Sequence, residues 1–85
     1  MKDLINKNGL TVQANAKHVF EELMRGTGSV MGEGLSIFIE KPTVHEKQIV
    51  VSRAAAGGRA AESRKFLPNR FQEAWELFVG WGPGE

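Results

Sequence analysis

Apolar positions fall into three patterned blocks. Val12, Ala16, Val19, Phe20, Leu23 and Met24 recur three or four residues apart and predict an amphipathic helix over 11–25. Thr11 is placed to cap it, Arg25 suits the negative end of its dipole and Gly26 supplies a stop. Leu35, Ile37 and Ile39 alternate with Ser36, Phe38 and Glu40, which is strand periodicity, and Pro42 is expected to end that strand. The run Ile49-Val50-Val51 predicts a second strand from about 47 to Arg53, joined through a polar turn at 42–46 into a β-hairpin over 35–53. Phe71, Ala74, Trp75, Phe78 and Val79 predict a second helix over 69–79. Asn69 with Gln72 forms a capping-box pattern at its start, and Gly80 is expected to end it.

The remaining stretches read as connections: an amino-terminal segment 1–10 holding a single turn or short strand, a Gly-rich connector 26–34, a basic connector 54–68 with a helical turn at 60–67, and a tail 80–85. The expected architecture is one small α+β domain ordered helix–β-hairpin–helix. A two-stranded sheet is marginal on its own. Phe38 and Val50 fall on the hairpin face opposite Leu35, Ile37 and Ile39, so both faces carry apolar side chains, and Leu77 sits on the polar side of the last helix. A third strand from the amino terminus or the Gly-rich connector would answer this; a homodimer that completes the sheet answers it slightly better. Phe38, Val50, Leu77 and Trp81 are the interface candidates, with Trp81 expected to fold back onto Trp75 or to anchor a partner.

Composition narrows the class. The chain has 85 residues, no cysteine and a formal net charge of +1, so one domain without disulfide or thiolate-metal staples is expected. Neither a signal peptide nor an apolar run of membrane-spanning length is visible, which gives cytoplasmic as the expected location.

Charge adds the functional expectation. Between Arg53 and Arg70 lie Arg53, Arg59, Arg64, Lys65 and Arg70 against Glu62 alone, a local +4 that leaves the rest of the chain at −3. Such a concentration is the footprint of a surface that meets phosphates or an acidic partner. Arginine forks bind phosphate oxygens and Phe66 offers a ring for base stacking. The expected function is therefore a non-enzymatic module contacting nucleic acid through 53–70. The competing expectation is a protein-interaction module, an adaptor or inhibitor, using the hairpin edge and the carboxy-terminal helix.

Reaction chemistry finds little support. The glycines from Gly26 to Gly32 follow a helix and precede a strand, the reverse of a phosphate-binding loop, and no Gly-Lys-Ser/Thr follows. His18 sits beside Glu21 and Glu22 on an open helix face, and His45 lies in the hairpin turn; neither has a metal-ligand set. Ser29, Ser36, Ser52 and Ser63 lack a nucleophile-elbow context. No enzyme, metal or cofactor is expected. Asn8-Gly9-Leu10 before a helix resembles the start of a phosphocarrier HPr domain, but Thr11, Val12, Gln13 and Ala14 replace that family's phosphorylatable histidine and Arg-Pro pair. The likeness spans a handful of residues and carries no function.

Overall fold

A computed structural model describes residues 3–32, 34–43 and 46–81, the side chain of position 42 excepted. In chain order the elements are β1 (Leu4–Asn6), β2 (Thr11–Val12), α1 (Ala16–Arg25), β3 (Ser29–Gly32), β4 (Leu35–Thr43), β5 (Glu46–Arg53), β6 (Glu62–Phe66), a 3-10 turn (Pro68–Arg70) and α2 (Phe71–Trp81). The strands form one sheet in the order β2-β1-β3-β4-β5-β6, with every neighbouring pair antiparallel. The domain is α+β, as its sequence implies, but sheet-rich rather than helix–hairpin–helix.

Both helices cover the same face. The register places Leu4, Val12, Val30, Leu35, Ile37, Ile39, Ile49, Val51 and Phe66 on one side of the sheet. These pack with Val19 and Leu23 of α1 and with Phe71, Ala74 and Phe78 of α2 into one hydrophobic core. Phe20 and Phe71 meet edge-to-face at 5.0 Å and join the helices. Among the described residues no helix covers the other face, which carries Ile5, Met31, Ser36, Phe38, Val50, Ser52 and Lys65.

The first expected helix is shorter than its apolar spacing implied. Thr11-Val12 is a strand, a β-branched pair held against Leu4-Ile5, and Val12 is buried from the sheet rather than from a helix. Asn15, not Thr11, caps α1: its Oδ1 accepts from the His18 backbone N–H at 2.9 Å and lies 2.7 Å from His18 Nδ1. Asn6, largely buried, ties off the β1–β2 turn by accepting from Asn8 N and Leu10 N at 2.9 and 3.0 Å.

The Gly-rich connector contains β3, in which Val30 alone is fully buried. Gly32 lets β1 approach, since a Cβ there would stand 2.8 Å from Leu4 Cδ2. Pro42 does not end β4, which runs on to Thr43 through a shift in pairing between Glu40 and Thr43. At the carboxy end Asn69 does not cap the helix; it lies inside the 3-10 turn, and α2 runs through Gly80 to Trp81. His45 and residues 82–85 lie outside the described residues. The expected need for a partner's strand disappears, because β1, β2, β3 and β6 from the same chain flank the β4–β5 hairpin.

Candidate functional site

The basic segment is a β-ribbon. Glu62–Phe66, expected to be helical in part, pairs in register with β5 from Arg53↔Glu62 to Ile49↔Phe66. Beyond the Arg53–Glu62 pair the chain continues as an arm, residues 54–61, every one exposed. Ala56 and Arg59 bond to each other through both backbone groups (3.0 and 2.8 Å), closing a two-residue turn at Gly57-Gly58. Both glycines have positive φ, 53° and 81°, the requirement of a tight hairpin turn matched to strand twist. The double glycine thus fixes a turn tip and does not loosen a connector.

Strand alternation divides the candidate residues between two faces. Arg53, Arg64 and Phe66 lie on the helix side and Lys65 on the open side. Arg53 is only 19% exposed, ion-paired to Glu62, with its guanidinium 4.6 Å from the centroid of the Trp81 ring. Lys65 pairs with Glu40 at 3.5 Å, and Arg70 with Glu73 at 3.4 Å. Among the described residues Arg59 and Arg64 form no ion pair. The Arg53 hydrogen bond holds the Glu62 carboxyl below its ordinary range against the opposing effect of burial, and the charges of Arg53, Arg64 and Arg59 add lesser lowering. Phe66 is half-buried against the core, where its ring serves packing.

The four expected interface side chains are used largely within the chain. Val50 is 3% exposed, and Leu77 and Trp81 pack against the core. Trp81 does fold back, but onto Arg53; Trp75 instead stacks on Phe78 at 5.5 Å. Phe38 is half-buried on the open face. The hairpin edge expected to be free is closed by β3 and β6, so the sheet edges are β2 and β6. The exposed apolar pair that sequence reasoning missed is Ile5 and Met31, directly opposite each other on β1 and β3. A strand from the amino terminus or from the Gly-rich connector was among the expectations, but the pairing of the two with each other was not.

Lys7, Lys41 and Lys47 also escaped notice. Lys7 lies far in sequence from Lys41 and Lys47, yet all three line one pocket at the end of the sheet away from the arm. Among the described residues, no helix is long and apolar enough to cross a membrane, and no three His, Asp or Glu side chains converge as metal ligands. No protein-family model matches the chain, and no curated protein or solved structure matches it significantly.

Proposed function

We propose that this domain is a non-enzymatic binding module whose β5–β6 ribbon contacts nucleic-acid phosphates. The observation that carries the reading is the exposed arm 54–61, small-residued and closed by two backbone hydrogen bonds around Gly57-Gly58, with Arg59 on it and Arg64 just beyond. A two-stranded ribbon is one of the elements that a nucleic-acid major groove admits. Alanine and glycine keep the arm thin, so phosphates approach its backbone as well as its guanidinium groups.

Ion pairing sets the expected strength. Five free cations would give a slope of log affinity against log salt of about −4 to −5 on duplex DNA. With Arg53, Lys65 and Arg70 engaged by carboxylates, Arg59 and Arg64 alone give about −2. Fluorescence anisotropy with labelled duplex and single-stranded oligonucleotides across a salt series tests this. Salt-sensitive binding with a slope near −2 supports the reading, and no binding at low salt removes it.

Ile5 and Met31, 47% and 49% exposed, favour a second reading. In that reading the open sheet face receives a protein, either a second copy of the chain or a separate partner. It predicts association that salt does not weaken and that Met31→Lys abolishes, measured by sedimentation and by capture of a stoichiometric partner.

A further inference from the structure

The chain has five arginines, and the fold holds the peptide bond after four of them. After Arg25, Gly26 N donates to Glu22 O at 3.1 Å and closes α1. After Arg53, Ala54 N donates to Gly34 O at 2.9 Å. Arg64 and Lys65 are paired in register with Val51 and Val50 inside β6. After Arg70, Phe71 N donates to Pro68 O at the start of α2. The Arg59–Ala60 bond differs. It lies on the exposed arm, and among the described residues Ala60 N has no backbone partner.

Cleavage needs more than exposure, because an endopeptidase takes its substrate as an extended strand. The tight turn at Gly57-Gly58 must therefore open first. Two bonds between Ala56 and Arg59 (3.0 and 2.8 Å) hold it, and among the described residues no backbone bond joins 54–55 to 60–61. Opening the arm thus leaves the β5–β6 pairing from Arg53↔Glu62 to Ile49↔Phe66 in place, a local event rather than global unfolding. Exposed tips of small residues are where chains are nicked. Here every neighbour of Arg59 from 54 to 61 is alanine or glycine, so no bulky side chain obstructs a protease cleft. Arg59 itself is exposed and without an ion pair among the described residues, free to enter an acidic specificity pocket.

We infer that Arg59–Ala60 is a processing site for an arginine-specific endopeptidase, and that the cut leaves a nicked, folded domain. Hydrolysis adds one water across the amide: Arg59 gains a carboxylate, Ala60 an ammonium group, and no other bond changes. The fragment that follows stays seated, because β6 pairs along β5 and Phe71, Ala74 and Phe78 lie in the core. A consequence for binding rests on the ribbon reading. The new carboxylate stands on the same residue as the Arg59 guanidinium and offsets its charge, and the turn that closes the arm is gone. The cut therefore switches off phosphate contact by the arm.

The test is a time course of the full chain with the arginine-specific protease clostripain, followed by intact-mass spectrometry. The expected first products are 1–59 and 60–85, formed at least 10-fold faster than any other cut. They should co-elute in gel filtration, with ¹H–¹⁵N NMR shifts confined to the arm. Arg59→Gln should slow the first cut at least 10-fold. A first cut at Arg25, Arg53, Arg64 or Arg70 overturns the assignment, and separation of the two fragments overturns the folded product. The nicked protein should bind duplex DNA at least 5-fold more weakly than the intact chain; equal binding overturns the switch. If the intact chain binds no duplex, the ribbon reading and the switch fall together while the cleavage site stands.

Discussion

The Lys65 ammonium lies 3.5 Å from the Glu40 carboxylate although β5 separates their strands. Lys65 stands directly opposite Val50, and Glu40 opposite Gln48 one row further along the same open face. The lysine stem must therefore pass over β5 beside Val50, with Phe38 opposite on the other side. This explains how a valine on the face without helices is only 3% exposed.

Lys65 should therefore act as a lid more than as a charge. An exposed ion pair contributes about 0–1 kcal/mol, whereas fully exposing a valine costs about 1.5–3 kcal/mol. Lys65→Ala, which uncovers part of Val50, is expected to cost about 1 kcal/mol, or some 4–8 °C in Tm for a domain of this size. Lys65→Met keeps the apolar stem and should recover most of that loss. Equal destabilisation by both variants would assign the effect to the charge instead.

Trp81 should be worth more than its place at the end of α2 suggests. Its ring covers the Arg53 guanidinium, whose Nε is buried without a hydrogen-bond partner among the described residues. Trp81→Ala removes the packing and the cation–π contact, a loss of about 1–3 kcal/mol by urea titration. Trp81→Phe should restore much of it through the retained ring. A Trp81→Ala protein as stable as the parent would mean that the last turn of α2 contributes nothing to the fold.

These two contacts show what the sequence could and could not reveal. The β4–β5 hairpin and most of both helices were legible because Leu35, Ile37, Ile39, Val19, Leu23, Phe71, Ala74 and Phe78 each meet the core at the period of their own element. Strand β6 was not: on its helix side Glu62 and Arg64 stand where apolar residues usually do, satisfied by Arg53 and by solvent at a sheet edge. β1 and β2 are three and two residues long, too short to show any period. The charge excess at 53–70 was visible, but its division between two faces depended on β6. The lysine pocket left no local signal at all, since only the sheet topology unites Lys7 with Lys41 and Lys47.

Glu22 should make stability sensitive to acid. Its carboxylate accepts from the Thr27 backbone N–H and hydroxyl at 2.7 and 2.8 Å and from the Asn6 amide at 3.4 Å. The Thr27 backbone bond is the main cause of its lowered pKa, followed by the hydroxyl, against a smaller effect of burial. A carboxyl with a lowered native pKa binds its proton more readily in the unfolded chain. Its contribution is therefore complete above the unfolded value, about 4.3, and is lost as pH falls through the native value. Glu22→Gln should lower Tm at pH 7 and approach the parent as pH falls through the native value, below which both side chains are neutral. A Tm gap that stays constant across that range would contradict this assignment.

Ion pairing in the ribbon divides its cations into two groups that mutation can separate. Arg53, Lys65 and Arg70 each have a carboxylate partner, and the first two also cover apolar or aromatic groups. Arg59 and Arg64 are exposed, and neither meets an acid closely among the described residues. Arg59→Ala/Arg64→Ala should therefore leave Tm within about 0.5 kcal/mol of the parent, as expected of surface positions. It should also flatten the salt dependence of nucleic-acid binding by close to two units, roughly one per lost phosphate contact. Arg53→Ala should show the reverse, a stability loss with little change in slope. Binding and slope that survive in a folded Arg59→Ala/Arg64→Ala protein would remove the arm from the interface.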